Sequence, residues 1–294
     1  MYRRSGRALA LLWLLATAAR AEMVPAVDYL GTYVWTDRHP DFGGFSGFDL
    51  AADGKAFVMV SDRGGLLTGR LSRDAQGLVS GAVVAFRGPL APESGLPKGR
   101  RAGDSEGLAL AGGGDFYVSF EGRARVVRYT VAGEPGDLVA GPREFSGFPS
   151  NEGLEALAIG PDGTLFTLPE HAMLRGPFFP LYRYRDGIWD QPVKLAAVGS
   201  FVPVGADVGP DGWLYILERD FLGIRGFTSR LIRLDPAAGW AEQELLRTAP
   251  GTHDNLESIA VWRDPAGDLR LTMVSDDNFN FLQQTEVVEY RLKD

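Results

Sequence analysis

One pattern recurs five times along the chain, roughly 50 residues apart: a strand of small and apolar residues, a tight Gly/Asp turn, a second apolar strand, then an acidic residue. The copies begin near Ser46, Glu106, Glu155, Val204 and Glu257. Their second strands end at Ser61-Asp62, Glu121, Glu170, Glu218 and Ser275-Asp276-Asp277. The third copy shows the logic. Leu157 and Ile159 alternate with Ala156 and Ala158 at the strand period of two. Pro161-Asp162-Gly163 then supplies a fixed φ followed by a positive one, and Leu165 to Leu168 return as the second strand. Third strands are expected at Leu66–Leu71, Val126–Thr130, Leu181–Tyr184, Leu231–Leu234 and Val287–Leu292. Fourth strands are expected at Leu78–Phe86, Leu138–Phe145, Val193–Val198 and Glu242–Leu246. The last copy runs out of chain, and Tyr29–Trp35 can supply its missing strand.

This arithmetic predicts an all-β fold, a β-propeller of five four-stranded blades whose ring the N-terminal strand closes. A sixth blade requires Ala82–Lys98 to hold more than one strand, and a pair of β-sandwiches is the competing architecture. The first strands favour the propeller. One register holds Gly47, Gly107, Ala156, Gly205 and Ser258, and small side chains in every copy have a steric reason where innermost strands crowd an axis.

Adjacent strands of a blade run antiparallel, so the start of the first strand and the end of the second share one end of the blade. Two acidic sets therefore converge on one mouth. Like charges this close raise one another's pKa unless something neutralises them. Carboxylate oxygens suit Ca²⁺, which takes six to eight oxygen ligands. Glu106, Glu155 and Glu257 are the candidate ligands, with Asp207 or Asp276 beside them and Asn151, Asn255 and Asn278 placed to complete a shell. Asp49 and Asp207 sit three residues deeper, toward the channel. Basic residues follow the acids: Arg63, Arg123, His171 and Arg219. They read either as surface ion pairs of small weight or as partners for an anionic substrate oxygen. On the second reading Arg63 and Arg219 hold the substrate and Glu170, His171 or Glu155 handles the proton. The alternative for the whole mouth is a solvated acidic rim.

The ends and the composition set the context. Arg3, Arg4 and Arg7 precede an apolar run over Ala8–Ala18, and Ala19-Arg20-Ala21 fits a small-x-small cleavage site. Residues 1–21 are expected to be a cleaved signal peptide and 22–294 a single domain, periplasmic or secreted, with no membrane insertion after cleavage. The formal charge of −8 falls to −12 once the four arginines of the leader are gone, which argues against nucleic acid as a partner. The chain has no Cys, so thiol catalysis and Cys-metal sites are excluded. No nucleophile elbow, P-loop or H-E-x-x-H is present.

Four motifs, Asp104-Ser-Glu-Gly-Leu-Ala109, Asn151-Glu-Gly-Leu-Glu-Ala-Leu-Ala158, Asn255-Leu-Glu-Ser-Ile-Ala260 and Val274-Ser-Asp-Asp-Asn-Phe279, resemble those of the exported bacterial phytase-like domain family, also described by an esterase-like activity of phytase. The resemblance runs over roughly residues 27 to 292. It implies a β-propeller and a cation-assisted ester hydrolase. More distantly, Glu, Asn and Asp at a propeller mouth look like those of calcium-dependent lactonases and gluconolactonases. The expected protein is a monomer acting on a small anionic ester, with Ca²⁺ as cofactor. The alternative is a non-catalytic propeller that binds a ligand or a protein.

Overall fold

The computed structural model describes residues 26–93, 103–130, 134, 136–148, 153–170 and 177–293. Twenty strands form five four-stranded antiparallel sheets in a propeller arrangement. The first strand, β1 (Val27–Trp35), belongs to the last blade, and blade 1 contains β2 (Phe45–Leu50), β3 (Ala56–Ser61), β4 (Gly65–Arg73) and β5 (Val79–Pro89). Blade 2 contains β6 (Ser105–Leu110), β7 (Phe116–Phe120), β8 (Arg125–Tyr129) and β9 (Asp137–Val139). Blade 3 contains β10 (Leu154–Ile159), β11 (Leu165–Pro169), β12 (Phe178–Arg185) and β13 (Ile188–Ala196). Blade 4 contains β14 (Val202–Val208), β15 (Leu214–Phe221), β16 (Phe227–Asp235) and β17 (Ala241–Arg247). Blade 5 contains β18 (Leu256–Arg263), β19 (Leu269–Ser275), β20 (Thr285–Leu292) and, outermost, β1 (Val27–Trp35).

The N-terminal strand therefore closes the ring, with Val27 opposite Leu292 and Trp35 opposite Thr285. Val79–Pro89 is a single strand, so there are five blades and not six. One expected strand is shorter than its sequence suggests. In blade 2 the fourth strand stops at Val139, and Phe145 instead lies in a 3₁₀ turn, Arg143–Gly147, that buries its ring against Tyr182 and Trp189 of blade 3. Residues 1–25, which contain the expected leader, lie outside the described residues. No helix among the described residues is long and apolar enough to cross a membrane.

The apolar side chains divide by seam rather than gathering in one centre. Leu217, Leu231, Ile259 and Met273 fill the seam of blades 4 and 5, and Phe45, Phe57, Trp262 and Val287 that of blades 5 and 1. Val60, Leu66, Val118 and Phe120 fill the next, followed by Val126, Leu154, Leu157 and Tyr182, and then Leu168, Leu181, Ile216 and Ile232. Each fully buried side chain of this kind stabilises by about 1.5–3 kcal/mol relative to exposure. Every blade is thus held by both neighbours. The closing seam carries an additional buried polar latch: Arg73 Nη1 donates to Glu289 Oε1 at 2.6 Å, and the Val79 amide donates to Glu289 Oε2 at 3.1 Å.

The axis itself is filled. The cavity between the five innermost strands is about 10 Å³, room for about one water.

Candidate functional site: a carboxylate-lined mouth

The same irregularity interrupts all five innermost strand pairs. The register shifts between Phe45 and Gly47, Ser105 and Leu108, Leu154 and Ala156, Pro203 and Gly205, and Leu256 and Ser258. The residue that begins each repeat, Ser46, Glu106, Glu155, Val204 or Glu257, lies in this β-bulge. A bulge bends the strand and re-aims a side chain. The effect shows in the packing: Phe45 and Phe48 enter one apolar cluster, as do Leu154 and Leu157, and Leu256 and Ile259, although residues three apart in a regular strand face opposite ways.

The small residues of the next register act across blades. A methyl group on Gly47 would stand 2.4 Å from the carbonyl oxygen of Glu106, one on Gly107 2.3 Å from that of Glu155, and one on Gly205 2.7 Å from that of Glu257. At the two remaining joints the small residue is Ala156 or Ser258, and the bulged residue of the next blade is Val204 or Ser46. Glycine therefore occurs where the following blade presents a glutamate, and it lets that glutamate's backbone come close to the axis.

A second ring comes from the ends of the second strands. The amide of Asp62 donates to Gly44, that of Glu121 to Asp104, that of Glu170 to Gly153 and that of Asp276 to Asn255, while Arg219 pairs with Val202. The ring thus reads Asp62, Glu121, Glu170, Arg219, Asp276. The expectation that Glu218 belongs to it is corrected: Glu218 is one residue earlier, faces the blade and binds Arg230 Nη1 at 2.6 Å. Asp62 and Asp276 align with Glu121 and Glu170 once the pairing is observed.

Two arcs differ in chemistry. In blades 2 and 3, oxygens of Glu106, Glu121 and Glu155 all lie within 4.8 Å of one another. Burial, and then the charges of its acidic neighbours, push Glu106 well above the usual carboxylate range, and the same causes act on Glu155. Among the described residues, no basic side chain comes within 4 Å of a carboxylate oxygen of either. In blades 4 and 5, Arg219 Nη1 donates to Glu257 Oε1 at 2.6 Å and to Asn255 Oδ1 at 2.7 Å, and Nη2 donates to Glu170 Oε1 at 3.1 Å. Asn255 Nδ2 also donates to Glu257, at 2.8 Å. Burial still raises the pKa of Glu257, with the Arg219 charge opposing it.

The structure redistributes the residues expected from sequence. Glu106 and Glu155 meet, with Glu121 as their third member. Glu257 is held by Arg219 instead. Asp276 is buried, with its carboxyl pushed up to about 8 by burial and by Glu257, and its Oδ1 accepts the Asn278 amide. Asp207 stands apart: it lies about 10 Å deeper than the bulge, half-buried, its Oδ2 accepting the Val261 amide at 2.6 Å, and the charge of Asp49 reinforces the raising effect of desolvation. Asp49 makes the matching bond to the Leu110 amide at 2.7 Å. This pair joins blade 4 to 5 and blade 1 to 2. Arg63 lies at the edge of the mouth, stacked 3.5 Å from the centroid of Phe279. His171 and Asn151 lie outside the described residues. His253 is a packing residue, with Nε2 2.6 Å from the Tyr290 hydroxyl and its pKa lowered by burial.

Five blades around a filled axis, with a mouth of carboxylates and one built-in guanidinium, define the class: a β-propeller with an oxygen-rich acidic site. The Phytase-like family, described as esterase-like activity of phytase, matches residues 40–279, and the chain belongs to that family. No curated protein matches the sequence. Among solved structures, a protein of unknown function from Dyadobacter fermentans is similar over 92% of this chain and 100% of its own, at 12% identity and a TM-score of 0.49. A putative gluconolactonase is similar over 89% and 92%, at 12% identity and 0.47. A gluconolactonase from Xanthomonas campestris is similar over 79% and 68%, at 16% identity and 0.42. Likeness of this degree carries no functional argument.

Proposed function

We propose that the chain is an exported hydrolase of phosphate or carboxylic esters that uses a divalent cation, Ca²⁺ first among them, held by Glu106, Glu121 and Glu155. The observation that carries this reading is the grouping of those three carboxylates, with oxygens all within 4.8 Å of one another. Three hard oxygen donors drawn from two blades fit such an ion, whose charge would return Glu106 and Glu155 to their ionised forms. A bound cation would polarise the ester oxygen and lower the pKa of water.

The chain's own groups supply the rest. Arg219 fixes Glu170 and Glu257 in place, so its role is that of an internal counter-ion and not of a free substrate clamp. Glu170, whose charge bears on Glu155, is the group placed to take a proton beside the three carboxylates, with His171 next in sequence. Arg63 steadies an anionic part of the substrate. The family description supports ester hydrolysis, and the acidic mouth favours a mechanism with a cation over one with a serine nucleophile.

The test is a panel of p-nitrophenyl phosphate, p-nitrophenyl acetate, phytate and lactones, with Ca²⁺ and with chelator. Turnover that needs the cation and disappears in Glu155→Gln, with the melting temperature of the chelated protein retained, is the expected result. No turnover on any member would replace the hydrolase with a ligand-binding propeller.

A further inference from the structure

A cavity of about 360 Å³ lies beside the mouth on blade 1, between the β3–β4 turn, the end of β5 and the β19–β20 loop. It falls in the size range of small-molecule sites. Its walls are apolar at Phe45, Leu66 and Pro89, and two guanidiniums, Arg63 and Arg87, line it together with Asp41. A cavity with two cations and one anion is unusual in a chain of net charge −8, beside a mouth of carboxylates.

Three features mark it as built. First, Asn278 and Phe279 both have positive φ, at 49° and 50°. A bulky aromatic in that region is strained, and such strain persists where surroundings over-determine it. Here Asp277 Oδ1 accepts the amides of Phe279 at 2.9 Å and Gly44 at 2.8 Å, pinning the loop to blade 1. Second, Gly44 leaves room for the Phe279 ring: a methyl group there would stand 2.1 Å from it. The ring so placed has the Arg63 guanidinium carbon over it, 3.5 Å from its centroid. Third, Arg87 is held by Asp37 through Nη2, while its buried Nη1 has no acceptor among the described residues.

We infer that this cavity binds a small oxyanion-bearing molecule with an apolar body, a monocarboxylate or phosphomonoester, its oxygens on Arg63 and Arg87 and its body against Phe45 and Leu66. Asp62, between the cavity-lining Ser61 and Arg63, is close enough to the catalytic carboxylates that its charge raises Glu106. The cavity then selects the acid portion of the ester, an assignment that rests on the hydrolase reading, whereas oxyanion binding itself does not.

The test separates the two. Benzoate, phenyl phosphate, inorganic phosphate and benzyl alcohol are titrated calorimetrically into the full-length protein in chelator, where no cation-dependent turnover occurs. Benzoate or phenyl phosphate should bind, whichever oxyanion fits better. Arg63→Gln should weaken it by about tenfold or more, and Phe279→Ala should weaken it less. Benzyl alcohol should bind more weakly than either aromatic anion. No binding of benzoate or phenyl phosphate, or binding unchanged in both Arg63→Gln and Arg87→Gln, overturns the inference. Hydrolysis failing while the anions still bind would overturn the functional reading and leave the cavity standing.

Discussion

The arc of blades 2 and 3 and the arc of blades 4 and 5 start from the same strand geometry and solve the same electrostatic problem differently. Each presents a bulged glutamate backed by a glycine of the preceding blade, at Glu155 over Gly107 and at Glu257 over Gly205. On the second arc Arg219 replaces the acidic residue of the outer ring, and its guanidinium neutralises Glu257 and Glu170 from within the protein. On the first arc the corresponding ring residue is Glu121, so a third carboxylate stands where the other arc has its cation. The difference teaches that acidity alone does not define the site. Arg219 brings the counter-charge of the second arc close to Glu257, whereas on the first arc no basic side chain among the described residues comes within 4 Å of a carboxylate oxygen of Glu106 or Glu155.

The largest effect should come from Glu155→Gln. It is expected to abolish the calorimetric heat of added Ca²⁺ and to lower kcat/KM by about 100-fold or more. Glu257→Gln should change cation affinity by less than about tenfold; equal losses in the two variants would end the distinction between the arcs. Next is Arg219→Met, which leaves the half-buried Glu257 with Asn255 as a hydrogen-bond partner but without its counter-charge. It should cost about 2–3 kcal/mol by denaturant unfolding in chelator. Added Ca²⁺ should then raise the melting temperature more than in the parent protein, as an external charge takes over from the lost one. A variant that melts like the parent would show that Arg219 is not the counter-ion.

Gly107→Ala and Gly205→Ala sharpen the comparison at the backbone. Each forces apart two blades and should cost about 1–3 kcal/mol. Only Gly107→Ala should also weaken cation binding, because it moves Glu155. The smallest effect is expected at the far end of the axis. Burial raises the Asp49 carboxyl from 3.8 to about 7, so the folded state holds a proton that the unfolded chain releases. That contribution to stability is fully present below pH 3.8 and is lost as pH rises through about 7. Asp49→Asn should flatten the fall in melting temperature between about pH 4 and 7 by about 2–4 °C. A fall of unchanged steepness would place the titration elsewhere.

Much of this architecture is legible in the chain. The repeat gives five blades, and the missing last strand points to Tyr29–Trp35 as the closing element. The two acidic sets converge as the antiparallel pairing requires. The bulges were not legible, because one extra residue per strand leaves no mark in an apolar pattern of mixed Ala, Gly and Leu. Without them the ring register slips by one, which is why Glu218 reads as a rim residue although Arg219 occupies that position. The pairing of Gly47, Gly107 and Gly205 with the glutamates of the following blade was present in the sequence as two parallel registers. Its meaning needed the close approach of neighbouring backbones. The cavity at Arg63 depends on the left-handed turn at Asn278-Phe279, a conformation that propensity argues against for phenylalanine.

The closing strand sets the order of assembly. Blades 1 to 4 are each made of consecutive segments and can pair as soon as they are synthesised, whereas β1 pairs with β20, far along the sequence. Long-range pairing of this kind is slow, because loop closure precedes its reward. Until Thr285–Leu292 is available, Val27–Trp35 is a free edge, and an unpaired edge is a template for another chain. The step most exposed to aggregation is therefore the last one. Segments that mask Val27–Trp35 during synthesis, or added copies of the Thr285–Leu292 peptide, should govern the yield of folded protein more than changes within blades 2 to 4.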